Sequence, residues 1–208
     1  MRSLPVGDRA LLVEFADGQE AGALHAELVR RRAAGELPAV AEIVPAARTV
    51  LLDGLADPAG FAAELAGWRV PPLRSREADV VEVPVRYDGA DLAEVAALWR
   101  VSTDEAVAIH SAVEFRVAFC GFAPGFSYLT GLPARYGVPR RATPRTSVPA
   151  GSLALAGPYT GVYPRASPGG WQLIGSVGST DRPLWDPQRE PAALLSPGAR
   201  VRFVPDGA

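Results

Sequence analysis

The first candidate for chemistry in this chain is "GFAPGFSYLTGLP", which runs from Gly121 to Pro133. Its glycines and prolines fix unusual backbone angles around Phe122, Phe126 and Tyr128. Such a loop can present backbone N–H groups to an oxyanion or a carboxylate, because glycine permits close approach. The alternative is a tight barrel corner whose aromatic rings fill the core, and the residues alone favour that alternative.

The second candidate is "VPRRATPRTSVPAGS", from Val138 to Ser152. Three arginines, Arg140, Arg141 and Arg145, lie within six residues of a segment that its prolines hold extended. Guanidinium groups in this arrangement are suited to binding a carboxylate or a phosphate. An equally good interpretation is a solvated strand edge on which prolines and arginines discourage pairing with another strand.

The third candidate is "YTGVYPRASPGGW", from Tyr159 to Trp171, which no regular element explains along its whole length. We expect it to converge with the two other loops at one end of a β-barrel. In this arrangement Tyr163 and Trp171 would form apolar walls, while Thr160, Ser167 and glycine N–H groups would supply polar contacts.

His110 and Cys120 are the remaining candidates for acid–base or nucleophilic chemistry. His110 ends a predicted helix, and its ordinary pKa suits a general acid or base. A histidine in that position more often bonds the last helical carbonyls. Cys120 follows an apolar strand, which indicates a small core residue, although its place beside Gly121 keeps a nucleophilic role open.

Several self-contained sites are absent from the sequence. There is no G-x-x-x-x-G-K-[ST] for nucleotide phosphates and no G-x-S-x-G of a hydrolase nucleophile. One cysteine and two histidines cannot build a standard structural zinc site, and the carboxylates have no ligand spacing, so we predict no metal site.

Composition bounds the class of protein. The 208 residues carry a formal net charge of -2, which gives no electrostatic case for binding nucleic acid or an anionic membrane. A single cysteine cannot form an internal disulfide and suits a reducing compartment. The N-terminal segment meets Pro5 and Asp8 before a signal-peptide core could form, so we expect a cytoplasmic protein.

Two domains are expected to position these loops, with the boundary in the linker "VPPLRSREAD". Residues 1–75 are predicted to form a small α+β domain. The strand-like "ADVVEVPVRY" completes a β-α-β-β-α-β order, which is typical of a ferredoxin-like layer. Residues 76–208 are predicted to begin with two short helices, opened by Asp91 and Ser102, and to continue as a mainly-β barrel.

The motifs "GFAPGFSYL", "VPRRATPRTSVPAGSLALAG", "YTGVYP" and "SPGGWQLIG" resemble the family that contains the B subunit of 5-oxoprolinase, the KipI-type kinase inhibitor and allophanate hydrolase subunit 1. The resemblance covers the whole chain, and the family has a carboxyltransferase domain of subdomains C and D. It implies a small α+β domain followed by a cyclophilin-like barrel.

The resemblance also implies an enzyme subunit that is not active alone. Together with subunits A and C it would form a 5-oxoprolinase that uses ATP to open 5-oxo-L-proline to L-glutamate. ATP would be used by the complex, since this chain has no nucleotide motif. The alternatives within the family are an inhibitor of a histidine kinase and a component of an allophanate hydrolase or urea-processing complex.

Carried onto this chain, the family's loops give a set of expected site residues. The expected catalytic residues are His110, Arg140 and Arg145. The expected substrate-binding residues are Gly121, Phe122, Pro124, Gly125, Tyr128, Gly151, Ser152, Thr160, Tyr163, Ser167, Gly169, Gly170 and Trp171.

Overall fold

The computed structural model describes residues 1–72, 80–178 and 182–206. The chain divides into two compact units, Met1–Glu77 and Ala78–Ala208. Most of the predicted linker, including the predicted boundary between residues 75 and 76, lies outside the described residues. Within the described ranges, no helix combines the length and the apolar character that crossing a bilayer requires.

The first unit packs two helices on one face of an antiparallel sheet with the strand order β1-β2-β4-β3. Its elements are β1 (Arg2–Val6), β2 (Ala10–Glu14), α1 (Gly18–Ala33), β3 (Glu42–Pro45), β4 (Thr49–Asp53) and α2 (Pro58–Ala66). Alternate strand residues, such as Leu11 and Val13, point to the helices and are buried with Leu24 and Leu28 of α1. This period of two selects the buried face of the sheet.

Local side-chain chemistry begins both helices of this unit. The Asp17 carboxylate accepts hydrogen bonds from the backbone of Gln19 and Glu20 and opens α1. Asp57 accepts from Gly60 and opens α2, whose first residue is Pro58, as predicted. These capping interactions depend only on nearby residues, so the sequence was sufficient to predict them.

The predicted ferredoxin-like order is wrong for this unit. An additional strand, β1, precedes β2 and pairs with it from Arg2↔Glu14 to Val6↔Ala10. The strand that we expected to complete the layer, β5 (Val80–Arg86), pairs with strands of the second unit instead. The strand itself was predicted correctly, but the choice of its partner depends on residues far along the chain.

The second unit contains a closed barrel with the strand order β10-β7-β6-β13-β5-β12-β9. After β5 come α3 (Leu92–Trp99), α4 (Thr103–Ser111), β6 (Glu114–Cys120), β7 (Ser127–Thr130), a 3-10 helix (Ala134–Tyr136), β8 (Arg145–Val148), β9 (Ser152–Ala156), β10 (Tyr159–Val162), β11 (Ser167–Gly169), β12 (Gln172–Val177) and β13 (Arg200–Pro205). β13 is parallel to β5, and the other neighbouring barrel strands are antiparallel. The mainly-β barrel is thus confirmed, and its form fits the cyclophilin-like expectation.

Strand β9 shows how the barrel is covered on both faces. Leu153 and Leu155 belong to the core inside the barrel, with residues of every other barrel strand. Ala154 and Ala156 point outward and are buried under a second apolar cluster. The outer face of the sheet near β9 is therefore not exposed, because the connecting loops lie on it.

Candidate active site

Strand β10 explains the pattern "YTGVY" at the start of the third loop. Tyr159 and Tyr163 lie on the outer face of the barrel, whereas Thr160 and Val162 are buried on the inner face. Gly161 is also on the outer face, and a Cβ atom there would lie 3.1 Å from both the Phe126 and the Trp171 rings. Glycine is required at this position because two aromatic rings pack directly on the strand.

These rings belong to an aromatic cluster that covers the outer face of β7 and β10. Its members are Phe119, Phe122, Phe126, Tyr128, Tyr159, Tyr163 and Trp171. The Phe126 ring lies 5.3 Å from both Tyr163 and Trp171, with near-perpendicular planes. Edge-to-face packing of this kind is favourable for aromatic side chains. The cluster joins the first and third predicted loops into one surface.

The loop from Gly121 to Gly125 satisfies part of its own hydrogen bonding. Ala123 N–H donates to the Gly121 carbonyl at 2.8 Å, and Phe126 N–H donates to the Ala123 carbonyl at 2.9 Å. Gly121 N–H donates to the Phe126 carbonyl at 3.2 Å. These internal bonds reduce the number of N–H groups that the loop can offer to an oxyanion.

Phe122 is the unusual residue of this loop. Its φ of 68° lies in the left-handed region that a bulky residue rarely adopts, and 60 % of the residue is exposed. Its ring contacts the cluster at Phe126, 5.3 Å away between ring centroids. Strained, exposed aromatic residues occur at functional positions, and Phe122 is a candidate for ligand or partner contact.

The arginine loop is held by a buried carboxylate, Asp91. Asp91 Oδ1 accepts from Arg141 Nη1 and from Arg145 Nη2, each at 2.8 Å, and Oδ2 accepts from the Leu173 backbone at 2.7 Å. Burial raises the pKa of Asp91, but the hydrogen bonds from Arg145 and Leu173 outweigh it, so the pKa falls below its ordinary value. Arg145 therefore has an ion-pair partner within the chain.

Arg140 is exposed and lies beside the aromatic cluster. Burial raises the pKa of Tyr128 and of Tyr163, and the positive charge of Arg140 opposes that rise at both hydroxyls. No ion pair or hydrogen bond of the Arg140 side chain occurs within the described part of the chain. Among the three arginines, Arg140 has the guanidinium group that a ligand can reach.

His110 lies inside the barrel, where only 1 % of it is exposed. Its Nδ1 is 2.8 Å from the Tyr87 hydroxyl and its Nε2 is 3.4 Å from Thr160 Oγ1, while Phe115 and Phe203 pack on the ring. Burial lowers the pKa of His110 to about 3, so the ring is neutral. Neither His110 nor Thr160 reaches the aromatic surface, so we infer that both are structural.

The stability of the barrel is expected to fall as pH decreases, because His110 must be neutral inside it. Its pKa is about 3 in the folded chain against an ordinary 6.5, so the unfolded chain binds a proton that the folded chain does not. This contribution is complete above pH 6.5 and is lost towards pH 3, with a slope of about 1.4 kcal/mol per pH unit. Urea unfolding between pH 7 and 4.5 measures it.

The matched variant for this pH dependence is His110→Gln, whose amide can still bond Tyr87 but does not titrate in this range. Its free energy of unfolding should fall less steeply with acidification, although Asp91 and other carboxylates still contribute. Equal slopes for the variant and the wild type would show that His110 is not buried in its neutral form.

The remaining predicted residues lie around the aromatic cluster and mostly support it. The Tyr163 hydroxyl packs against Gly169, where any Cβ atom would collide with it. Gly151 and Ser152 hold the Tyr163 backbone through two hydrogen bonds of 2.8 and 3.0 Å. Buried Ser167 bonds the Arg165 carbonyl at 3.2 Å, and Gly170 accepts from the Arg141 backbone at 2.8 Å.

Pro124 and Gly125 face a different neighbour, the segment near Trp185. A Cβ atom on Gly125 would lie 2.8 Å from the Trp185 Cβ atom, and the φ of 83° also favours glycine. A shallow groove of about 310 Å³ adjoins Pro124. The residues that line it are Pro124, Pro164, Arg165, Pro183, Leu184 and Trp185.

Asp91 is the residue of this site that sequence reasoning missed. The sequence predicts a helix cap at Asp91, but its side chain makes no capping bond to α3, in contrast to Ser102, which forms the predicted capping box with Glu105. One signal was available, since three nearby arginines in a barrel with few carboxylates need a counter-charge.

The family described as "Carboxyltransferase domain, subdomain C and D" matches residues 1–195 of this sequence. The chain belongs to this family. The family resemblance drawn from the glycine- and proline-rich motifs is thereby confirmed.

Two curated relatives of this carboxyltransferase-domain protein are named as the B subunit of 5-oxoprolinase. The protein of Escherichia coli O157:H7 is 51% identical over 141 residues, which cover 66% of this chain and 63% of the relative. The protein of Bacillus subtilis (strain 168) is 48% identical over 128 residues, which cover 60% and 52% respectively. The matches therefore span about half to two thirds of each relative's length.

Solved structures of similar fold support the family assignment. The crystal structure of TTHA0988 is 37% identical with a TM-score of 0.78 and covers 96% of this chain and 41% of that chain. The uncharacterized protein PH0987 from Pyrococcus horikoshii is 31% identical with a TM-score of 0.56, covering 98% and 97%. Urea carboxylase of Kluyveromyces lactis has a TM-score of 0.74 at 18% identity over 99% and 22%, which shows a shared fold alone.

Proposed function

We propose that this chain is the B subunit of an ATP-dependent 5-oxoprolinase, which opens 5-oxo-L-proline to L-glutamate together with subunits A and C. The observation that carries the proposal is the 44–51% identity to three relatives that bear the name of this 5-oxoprolinase component. Because the chain spans only 52–63% of each relative, the activity of the whole enzyme is part of the proposal.

The aromatic cluster and Arg140 suit a small ring that carries a carboxylate. 5-Oxo-L-proline is a five-membered lactam with one carboxylate. Its apolar ring carbons can pack on an aromatic surface, and its carboxylate can form a bidentate pair with the exposed Arg140 guanidinium. Of the catalytic residues expected from sequence, Arg140 keeps a direct role, while Arg145 is paired with Asp91 and His110 is buried.

Ring opening moves negative charge onto the lactam oxygen, which needs donors that are already in place. The hydroxyls of Tyr128 and Tyr163 remain protonated at neutral pH, since burial raises the pKa of both. In the proposal, Arg140 orients the substrate and one of these hydroxyls donates a hydrogen bond to the lactam oxygen, while the aromatic rings exclude water.

ATP does not fit the residues of this chain. A triphosphate requires several free cationic or N–H donors, yet Arg141 and Arg145 are paired with Asp91 and the loop at Gly121 bonds largely to itself. We therefore propose that the complex uses ATP elsewhere, and we assign no step through ATP to this chain.

Reconstitution of the three subunits is expected to give ATP-dependent glutamate formation from 5-oxo-L-proline, while the purified chain alone gives none. Allophanate and urea are assayed in parallel, with chromatographic detection of glutamate and of ammonia. The matched control omits only this chain from the mixture. Equal turnover with and without it, or turnover of allophanate or urea in place of oxoproline, would reject the proposed function.

A further inference from the structure

Asp91 is one of the most buried charged groups of the second unit, with 4 % of its side chain exposed. It joins three segments, since it precedes α3, binds the arginine loop and pairs with Leu173 of β12 through both its side chain and its backbone. A carboxylate at this depth is unfavourable unless its charge is compensated. Arg141 and Arg145 supply that compensation, so neither guanidinium is free for a ligand.

The segment that carries Arg140 is fixed on both sides of that residue. The Pro139 carbonyl accepts a hydrogen bond from Gln172 Nε2 at 3.4 Å, and Arg141 N–H donates to the Gly170 carbonyl at 2.8 Å. Arg141 turns its side chain to Asp91, and Arg140 is exposed beside the hydroxyls of Tyr128 and Tyr163. The position of Arg140 thus depends on how its neighbours are anchored.

We propose that Asp91 is a positioning residue: it holds Arg141 and Arg145 away from the ligand and fixes Arg140 at the edge of the aromatic cluster, where Arg140 binds the substrate carboxylate. This inference rests on the proposed function for the identity of that substrate. Removing the Asp91 charge releases two guanidinium groups and loosens the loop, so the preorganisation of Arg140 is lost.

The kinetic test uses the reconstituted complex with Asp91→Asn, Arg140→Gln and the double variant. Arg140→Gln should raise the KM for 5-oxo-L-proline at least tenfold, and Asp91→Asn should raise it severalfold with kcat changing less. In the double variant, Asp91→Asn should add less than a twofold change, because it acts through Arg140. Glu94→Gln is the matched control: its exposed carboxylate is 4.0 Å from Arg141, and the KM should stay within twofold.

Each kinetic outcome decides the role of Asp91. Effects that multiply in the double variant would show that Asp91 acts independently of Arg140 and would overturn the proposal. A KM unchanged in Asp91→Asn would do the same. Should Asp91→Asn not fold, Arg141→Gln replaces it, and its KM increase should likewise vanish in the Arg140→Gln background.

A second measurement does not depend on turnover. Nitrogen-15 NMR of the full chain should show slowly exchanging guanidinium protons for Arg141 and Arg145 and rapidly exchanging ones for Arg140. Asp91→Asn should abolish the slow signals, and their persistence would overturn the positioning role. If the wild-type complex fails to open 5-oxo-L-proline while this NMR pattern holds, the proposed function fails and the anchoring by Asp91 stands.

Discussion

Replacing His110 with alanine is expected to lower the free energy of unfolding of the barrel by about 3 to 5 kcal/mol. The imidazole is buried against Phe115 and Phe203, with ring centroids 4.8 and 5.3 Å away, so its removal leaves a cavity. The Tyr87 hydroxyl would also lose its 2.8 Å partner in a partly buried place. Urea unfolding, followed by tryptophan fluorescence at pH 7, measures the loss.

Ser111→Ala is the matched control for this variant because it changes the next residue of α4. The Ser111 hydroxyl has one long hydrogen bond, 3.4 Å to the Ala108 carbonyl, so its loss should change stability by less than about 0.5 kcal/mol. A His110→Ala protein that unfolds at the wild-type urea concentration would contradict the structural role. Loss of turnover without loss of stability would restore the catalytic interpretation.

His110 also shows why residue type and local position were insufficient to assign its role. The sequence shows a titratable side chain at the end of a short helix, and that position is correct, since α4 ends at Ser111. Its environment depends on β13, whose Phe203 packs on the ring and lies 93 residues further along the chain. No local pattern carries that information.

Helix caps and strands were predictable because neighbouring residues determine them. Asp57 with Pro58, and Ser102 with Glu105, open helices as expected. The pairing of β5 was not predictable, since its parallel partner β13 begins at Arg200. Alternating apolar residues define a strand and its buried face, but many strands of similar pattern compete to pair with it.

The site divides in the same way. The three loops were predicted to converge, with Tyr163 and Trp171 as walls, and the aromatic cluster does bring the first and third loops together. The division of labour among the arginines was not predictable. It follows from Asp91, whose contacts with Arg141 and Arg145 span 50 and 54 residues of sequence.

Trp171 and Phe122 belong to the same aromatic cluster but differ in burial, and this difference separates support from recognition. Trp171 is 5% exposed and Phe122 is 60% exposed. The Trp171 ring lies 5.3 Å from Phe126 and 5.5 Å from Tyr128, and it packs on Gly161 of β10. The buried ring should contribute mainly to stability, and the exposed ring mainly to contact with a ligand or a partner.

Trp171→Ala is therefore expected to lower the free energy of unfolding by about 3 to 5 kcal/mol, because glycine at position 161 offers no side chain to fill the cavity. Phe122→Ala, the matched control, should lower it by less than about 1 kcal/mol. Urea unfolding compares the two, and oxoproline turnover in the three-subunit complex tests recognition. The prediction for Phe122 requires turnover to fall in a variant of near wild-type stability. Wild-type turnover for Phe122→Ala would show that its left-handed backbone serves the loop and not a ligand, and a stable Trp171→Ala would mean that the aromatic cluster does not hold the loops on the barrel.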